Sequence, residues 1–495
     1  MLKKLLGETA LYGLSSMVGR TLNFLLVALY THEIYGFEPT QYAEMSILYA
    51  YTAFLNVLFT YGMETAYFRY AHKNAKPIEV YNLILSYLLV STAIFTGLII
   101  LFSDGLASLL NYPARGNFIR WIAIILAVDT ILSLVYARLR FEKKAWLFVS
   151  TKVGNIVLTI GLNVFFLVVC KVWAGNSWID SWYQPAMGVG YVFLANLIAN
   201  LLNFVWLYRS FIDFRFRFMW REFAPLLWYG YPLALMGLAG VASQMLDRIL
   251  LQYYLPTGYY VGHSTKEAVG IYGACIKLTI FMSLAIQSFK YAAEPFFFSQ
   301  AEDKKSPLVF AQVMHYFVII CVMFWLAISL NLYWIKAVFI RNPVYHEGVG
   351  IVPILLLANL LLGIYYNFSF WFKLTDRTHY GTWLSIGGAL VTWVGNVLFI
   401  PVFGYMACAW VTLVSYGGMA FVCYALGQRH YPVPYRIGQM LLHLLLGSLI
   451  VMASLQLPAE WGMWLLLPNM GLFAVYLFFV FITEMKAWKK IGFVK

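Results

Sequence analysis

The sequence predicts an all-α, polytopic membrane protein with about fourteen transmembrane helices. Of its 495 residues, 62% are hydrophobic and 11% are charged, and its mean hydropathy of +0.74 lies outside the range of soluble globular proteins. The apolar residues recur in runs of about 20, the length of helix that crosses roughly 30 Å of hydrocarbon. No connection between these runs is long enough for a soluble domain, so any function must take place in or at the membrane.

Charged residues divide the chain into two sets of six apolar runs and a final pair. The first set lies near residues 7–30, 41–64, 80–102, 117–137, 147–170 and 184–207. The second set lies near 224–253, 268–293, 308–334, 349–372, 380–402 and 405–427, and the pair lies near 437–456 and 463–483. We therefore predict six spans in 1–208, a cytoplasmic interfacial linker at 209–221, six spans in 222–428, and the final pair with a cytoplasmic tail in 429–495.

The distribution of cations predicts the orientation of the chain in the membrane. There are 34 Lys and Arg against 21 Asp and Glu. If the N-terminus is cytoplasmic, 23 of these 34 cations fall in inner connections, seven lie at the outer side and four lie within spans. This bias predicts that both termini are cytoplasmic. Lys3 and Lys4 precede an apolar run without a small-residue cleavage site, which predicts an uncleaved first span. Because the cations flank apolar runs, no nucleic-acid partner is predicted.

The linker alternates cations with aromatic residues, reading Arg215-Phe-Arg-Phe-Met-Trp-Arg221. Such a segment sits at a membrane interface, where it binds anionic lipid headgroups or serves only to set the topology. Both interpretations place membrane lipids beside it.

Two charged residues lie deep in the first set of spans. Arg20 is near the middle of its span, where a cation costs from about 2.5 to more than 10 kcal/mol unless it faces water, a counter-ion or a ligand. Asp129 is nine residues from both Arg120 and Arg138, which places it about 14 Å from either end of its span. Either Arg20 and Asp129 pair with each other, or Arg20 binds an anionic substrate while Asp129 orients it or carries a coupling proton.

Three further charges lie in the outer third of spans seven and eight, namely Asp247, Arg248 and Lys277. Arg248 and Lys277 are long enough to extend partly toward the outer interface, so they are secondary candidates for substrate binding. Adjacent helical residues point about 100° apart, so Asp247 and Arg248 cannot both face one small target, and Asp247 is a candidate charge partner for Lys277. By contrast, Lys152 lies within a turn or two of a cytoplasmic span end, where we expect it to snorkel.

No residue pattern predicts catalysis, a metal site or a cofactor. The eight histidines are scattered without metal-ligand or base-nucleophile spacing, and the five cysteines are interpreted as packing residues in or beside apolar runs. No Gly-Lys-Ser or Gly-Lys-Thr loop is present, which argues against a built-in ATPase. A membrane enzyme would need acid, base or histidine groups on a substantial outer loop, and no outer connection exceeds about 20 residues.

Seven short segments carry a family resemblance through their order and spacing. The first half contributes Gly7-Glu-Thr-Ala-Leu-Tyr-Gly-Leu14, Gly62-Met-Glu-Thr-Ala-Tyr-Phe-Arg69 and Leu139-Arg-Phe-Glu-Lys-Lys-Ala-Trp146. The second half contributes Tyr229-Gly-Tyr-Pro232, Asp247-Arg248, Gly270-Ile-Tyr272 and Glu294-Pro-Phe296. With these segments the chain resembles, over nearly its whole length, the Wzx-type or O-antigen flippases of the multidrug/oligosaccharidyl-lipid/polysaccharide (MOP) exporter superfamily.

This resemblance implies two six-helix lobes around a central cavity, two additional C-terminal helices, and transport by alternating access. It also implies a non-enzymatic protein of the bacterial inner membrane that carries a polyprenyl-diphosphate-linked oligosaccharide outward for lipopolysaccharide or other cell-surface polysaccharide. Since no ATP site is present, we expect coupling to H⁺ or Na⁺ or to the membrane potential. The alternatives are a multidrug or organic-cation exporter of the same superfamily, and a membrane-bound polysaccharide polymerase or acyltransferase.

Overall fold

The computed structural model describes residues 17–74, 76–113, 115–175, 177–299, 306–375 and 377–491. Throughout these ranges the regular structure is helical and contains no strand, which confirms the predicted all-α class. Residues 7–16, the first part of the first predicted span and the site of the first family segment, lie outside the described residues.

Nineteen helices are used below, numbered in chain order within the described ranges. The first nine are α1 Met17–Tyr30, α2 Pro39–Thr60, α3 Met63–Lys73, α4 Pro77–Leu101, α5 Ser103–Leu109, α6 Gly116–Phe141, α7 Ala145–Val164, α8 Gly190–Trp206 and α9 Trp220–Tyr254. The others are α10 Thr265–Cys275, α11 Ile280–Ser299, α12 Ser306–Ser329, α13 Leu332–Phe339, α14 Val352–Phe368, α15 Phe370–Leu374, α16 His379–Phe403, α17 Tyr405–His430, α18 Ile437–Leu455 and α19 Leu466–Ile491.

Every predicted span coincides with a helix in the described part of the chain. Eleven of these helical segments are long and apolar enough to cross a membrane. Of the remaining three, α1 and α8 are shorter apolar helices, and α2 has 22 residues with polar and charged residues in its first half. Fourteen crossings therefore stay a prediction, while a protein with many membrane-spanning helices is what the structure shows.

Contacts divide the chain into two compact units, Met1–Gly273 and Ala274–Lys495. The boundary between Gly273 and Ala274 falls inside α10, the helix that follows α9. The first contact unit thus includes α9, which begins at Trp220, within the last two residues of the predicted linker. The predicted grouping of the spans into two sets of six stays a prediction.

In the first unit, α6 is the central helix and packs against α2, α4, α7 and α8. Its buried residues include Leu126, Leu134 and Val135, none of which is accessible to solvent. Helices α3, α4 and α6 share an aromatic and aliphatic core around Tyr67 and Tyr81. Because lipid tails are as apolar as these side chains, this core is held by close van der Waals packing.

A sharp turn between α2 and α3 brings backbone close to α9. Gly62 has a φ of +77°, in the left-handed region that favours glycine. A Cβ atom on Gly62 would lie 2.4 Å from the carbonyl oxygen of Gly230, so only glycine fits. The turn ends α2 at the level where a polar cavity opens, as described below.

The predicted interfacial linker is anchored in part through Arg217. The Arg217 guanidinium contacts Glu79 at 2.8 Å and Glu222 at 2.9 Å, and the Arg217 backbone N–H donates to Ser86 Oγ. Arg215 and Arg221, on either side, are exposed beside exposed aromatic residues such as Phe216. The arrangement fits either interpretation of this segment.

In the second unit, α14 packs against α12 and α17, and α17 packs against α16. Near the end of α11 and the start of α12, the Phe297 ring contacts Phe310 edge-on and lies tilted against Phe370. Helix α18 packs on α12, where the Gly447 backbone lies against the Trp325 ring. The final pair of helices is thereby attached to the unit through α12.

Candidate functional site

A polar cavity of about 340 Å³ opens in the first unit between the end of α2, the start of α3, α6 and α7. The residues that line it are Asn56, Val57, Thr60, Gly62, Glu64, Asp129, Leu132, Ser133, Tyr136 and Lys152. Three of these are charged, although the cavity lies among helices that are mainly apolar. Charged side chains within membrane segments commonly mark transport pathways.

Lys152 is the cation of this cavity. Its ammonium lies 4.0 Å from the centre of the Tyr136 ring, within the range of a cation–π contact. It also lies close enough to Asp129 for direct electrostatic attraction. Lys152 was expected to act only as a snorkelling residue near a span end, but the structure shows that it lines the same cavity as Asp129.

Asp129 is held by a chain of amide side chains that joins α6, α7 and α8. Asn200 donates from Nδ2 to Asp129 Oδ1 at 2.9 Å, and Asn155 donates to Asn200 Oδ1 at 2.7 Å. Asn200 also donates to Asn196 at 3.1 Å. A hydrogen-bond network of this kind orients the Asp129 carboxylate toward the cavity. There, one carboxylate oxygen can bind a proton or a small cation.

Glu64 lies at the other end of the cavity and already has a partner. Arg140 Nη2 contacts Glu64 Oε1 at 2.5 Å, and the Arg140 guanidinium lies over the Phe68 ring. Since Lys152 attracts Asp129 and Arg140 binds Glu64, the charges of the cavity are balanced. An anionic substrate would therefore need an additional cation.

Arg20 supplies a cation without a partner among the described residues. It is exposed on α1 and makes no hydrogen bond or ion pair within that part of the chain. Phe24 and Val27, four and seven residues later, are buried, so Arg20 projects from the side of α1 that packs against protein. Arg20 is therefore accessible on a face of α1 that is buried one and two turns further along the helix.

The structure does not pair Arg20 with Asp129. Asp129 accepts a hydrogen bond from Asn200 and interacts electrostatically with Lys152, whereas no ion pair in the described residues includes Arg20. Helix α1 does lie beside α7, because Tyr30 donates to Asn163 Oδ1 at 2.9 Å and Gly19 lies against Ile156. Arg20 therefore belongs to the same unit as the cavity without serving as its counter-ion.

Arg248 and Asp247 are buried together on α9. Arg248 is 7% exposed, its Nη1 contacts Met245 Sδ at 3.0 Å, and its Nε lies 3.9 Å from Asp247 Oδ1. The Tyr272 hydroxyl donates to Asp247 Oδ2. Arg248 thus lies inside the protein rather than extending to the outer interface, and Asp247 is bound by Tyr272. Lys277 is exposed and belongs to the second unit.

A larger cavity, of about 740 Å³, lies between α16 and α17 in the second unit. The residues that line it are Leu390, Val391, Val394, Gly395, Leu398, Phe399, Phe403, Ala407, Trp410, Val411 and Val414. Because none of these side chains carries a charge, this groove suits a hydrocarbon chain and cannot hold a diphosphate.

Sequence reasoning missed Lys152 and the amide network as members of one site. A signal was present, because Asn155, Thr159 and Asn163 follow Lys152 along one face of α7 at helical spacing. The sequence does not indicate which faces of α6 and α8 pack against these residues.

Comparison with known proteins identifies a family and a fold for the chain. The family profile described as polysaccharide biosynthesis protein matches residues 5–302, which is more than half of the chain. Comparison with curated proteins finds no match. Among solved structures, the lipid II flippase MurJ in an inward closed conformation has a TM-score of 0.71 at 11% identity, covering 96% of this chain and 100% of that chain.

Two other solved structures have the same fold. An inward-facing multidrug resistance MATE family transporter of the MOP superfamily has a TM-score of 0.62 at 13% identity, covering 83% of this chain and 94% of that one. A MOP superfamily transporter from Pyrococcus furiosus has a TM-score of 0.54 at 14% identity, covering 85% and 95%. The fold is therefore that of MurJ and the MATE transporters, as the resemblance predicted. Matched by its profile over more than half of its length, the chain belongs to the polysaccharide biosynthesis protein family.

Proposed function

We propose that this protein is a flippase that moves a polyprenyl-diphosphate-linked oligosaccharide from the cytoplasmic to the periplasmic leaflet of a bacterial inner membrane. It would work by alternating access and supply lipid-linked sugar for O-antigen or another cell-surface polysaccharide. The observation that carries this proposal is Arg20, an accessible arginine without a partner in the described residues, on the packing face of α1. A fixed cation inside a membrane protein is the group that a diphosphate needs.

The chemistry of the substrate fits the charges of the first unit. The guanidinium group binds two oxygens of a phosphate in a planar fork, which a lysine ammonium does not do. Because the cavity charges are balanced, Arg20 adds a net positive charge. We assign Arg20 to the diphosphate, with Arg248 and Lys277 as secondary contacts. The apolar groove between α16 and α17 offers a surface suited to a prenyl chain.

Family membership supports this substrate class. The family is named for polysaccharide biosynthesis, and one structural neighbour, MurJ, is a lipid II flippase.

Substitution of Arg20 tests the proposal in cells that depend on this protein for surface glycan. We expect Arg20→Ala to abolish surface glycan while the protein still accumulates in the membrane, because the diphosphate loses its two hydrogen bonds from the guanidinium group. Arg20→Lys should retain part of the activity, because it keeps the charge without the fork. Surface glycan and membrane-inserted protein are measured side by side.

Arg429→Ala is the matched control, since Arg429 is an exposed arginine at the end of α17. It should leave surface glycan unchanged. Normal glycan export by Arg20→Ala would remove Arg20 from the site, and equal losses in Arg20→Ala and Arg429→Ala would show a general effect of charge.

We further propose that Asp129 carries the coupling ion, H⁺ or Na⁺, and that the transporter is an antiporter. The lining of the polar cavity by Asp129, Glu64 and Lys152 supports this assignment. One charge crossing a potential of 100 mV releases about 2.3 kcal/mol, which is enough to bias the direction of transport. In vesicles, we expect translocation to slow at least tenfold when both the gradients and the potential are collapsed. Unchanged translocation under those conditions would contradict coupling.

A multidrug or organic-cation exporter is the second candidate, favoured by the structural likeness to a multidrug resistance transporter. An organic cation would need a negative site, whereas the polar cavity is balanced and Arg20 adds positive charge. Competition separates the two candidates: a glycolipid diphosphate should displace a fluorescent lipid diphosphate from the purified protein, and a cationic drug should not. A membrane-bound polymerase or acyltransferase has no observation in its favour.

A further inference from the structure

We propose that His315, His443 and Glu484 form a zinc site that fastens the final pair of helices to the second unit. The three residues come from α12, α18 and α19, which are separated by more than a hundred residues at their widest. Each is 2% exposed. None of the three residues is among those assigned above to substrate or ion binding.

The donor atoms of the three residues converge. One ligand atom from each residue lies within 4.8 Å of the other two. His315 Nε2 and Glu484 Oε1 are 2.7 Å apart. Two histidines and one glutamate are a recognised ligand set for zinc, which prefers three protein ligands and a fourth exchangeable position, or four ligands in a closed site.

Two polar atoms of the cluster lack a hydrogen-bond partner among the described residues. Glu484 Oε2 and His315 Nδ1 are buried without a hydrogen-bond partner in the described part of the chain. A buried carboxylate oxygen left without a partner is costly. A divalent cation beside Glu484 would compensate its negative charge and use both carboxylate oxygens.

His443 is oriented as a metal ligand requires. Its Nδ1 lies 3.1 Å from the hydroxyl of Tyr476 on α19, which leaves Nε2 for a metal. Ligating histidines generally engage their second nitrogen in a hydrogen bond of this kind, which fixes the ring and the tautomer. Tyr476 is completely buried and is therefore held in place for this role.

Small changes in the separations between the ligand atoms would give tetrahedral geometry. Bonds of about 2.0–2.1 Å place two ligand atoms of tetrahedral zinc roughly 3.3 Å apart. The His315–Glu484 separation would lengthen by a few tenths of an ångström to reach this value. The longest separation in the cluster would shorten by up to about 1.5 Å, which rotation of one imidazole or carboxylate can supply.

A zinc ion at this point would link three helices of the second unit. Helix α18 already packs on α12 through Gly447 and Trp325, and α19 contacts both α18 and α12. A metal bound by one residue from each helix stabilises that packing, because the site forms only when the helices are together. The ion would hold the final pair in place rather than take part in transport.

Metal content tests the proposal on the full-length protein, purified in detergent without a polyhistidine tag. After chelator treatment and dialysis against zinc, the wild type should retain one zinc per chain by mass spectrometry. His443→Gln and Glu484→Gln should each lower retention at least tenfold, and the exposed His379→Gln should retain zinc as the wild type does. Variants are compared only where size-exclusion profiles match the wild type.

Two readouts confirm that the metal is bound by these residues. Zinc should raise the apparent melting temperature of the wild type and of His379→Gln, but not of His443→Gln. Cobalt in place of zinc should give the intense visible absorption of a tetrahedral site, and that absorption should vanish in His443→Gln. Retention of less than a tenth of an equivalent by the wild type, or equal retention by all variants, would overturn the proposal and leave a hydrogen-bonded His–Glu pair.

Discussion

Arg20 and Lys152 lie on adjacent helices, yet their electrostatic surroundings differ. Lys152 has a carboxylate and an aromatic ring beside it, whereas Arg20 has no hydrogen-bonding or ionic partner in the described residues. The cost of placing a cation in a membrane is offset for Lys152 by the protein itself. For Arg20 the compensation has to come from water or a ligand, and we assign that role to the substrate diphosphate.

Double-mutant cycles identify the charge partner of Asp129 by its coupling free energy. We expect Asp129→Asn and Lys152→Gln to be coupled by about 0.5–3 kcal/mol, because each single variant leaves the other residue uncompensated. Asp129→Asn and Arg20→Ala should add within about 0.5 kcal/mol, because the two residues share no contact. The free energies come from unfolding of the purified variants in one detergent. Coupling to Arg20 in place of Lys152 would restore the ion pair as the explanation of Arg20.

Residue depth could be predicted from the sequence, but side-chain partners could not. Counting from span ends identified Arg20 and Asp129 as deep charges, since helical rise is constant. Pairing depends on how helices rotate about their axes, and the apolar residues of these helices are too evenly distributed to reveal it. For the same reason Arg248 was expected to extend toward the outer interface, and it is instead buried beside Asp247.

Among the elements, the connection between α6 and α7 contains a compact charge cluster. Glu142 accepts from Arg138 Nε at 2.6 Å and from Lys144 Nζ at 2.7 Å. Burial raises the pKa of Glu142, but the hydrogen bonds from Lys144 and Arg138 outweigh burial, so its pKa is lowered below the ordinary value. This segment is also the third of the segments that carry the family resemblance.

The lowered pKa of Glu142 predicts a pH-dependent contribution to stability. A carboxyl with a lower pKa in the folded state stabilises the fold above its unfolded pKa, and the stabilisation is lost as the pH falls through the folded pKa. Glu142→Gln should therefore unfold about 0.5–1 kcal/mol more easily at pH 7, and the difference from wild type should vanish in acid. Glu33→Gln, at an exposed position, is the control. A difference that persists unchanged in acid would contradict the ion-pair explanation.

Helix positions were the most predictable feature of the elements. Long apolar runs bounded by charges give helices in a membrane, because the backbone must satisfy its own hydrogen bonds there. The predicted spans and the observed helices differ mainly at their ends, where α9 extends over 35 residues and the last helix continues to Ile491. Such ends depend on interfacial packing, which hydropathy does not encode.

At the scale of the whole molecule, the family and the fold agree with the transport interpretation. The profile match shows membership of the polysaccharide biosynthesis protein family, and the MurJ-like and MATE-like fold is the one that the proposed flippase requires. The cluster of His315, His443 and Glu484 could not be predicted from the sequence. These three residues have no metal-ligand spacing along the chain, and only the packing of α12, α18 and α19 brings them together.

The most direct test of the central claim is translocation of substrate by the purified protein in vesicles. A polyprenyl-diphosphate-linked oligosaccharide is placed in the leaflet facing the cytoplasmic side of the protein, and its arrival in the other leaflet is measured with a membrane-impermeant glycosidase. We predict that wild-type vesicles expose the glycan at least tenfold faster than vesicles with Arg20→Ala, which should match protein-free vesicles. Equal exposure by wild-type and protein-free vesicles would contradict the assignment of this protein as a lipid-linked oligosaccharide flippase.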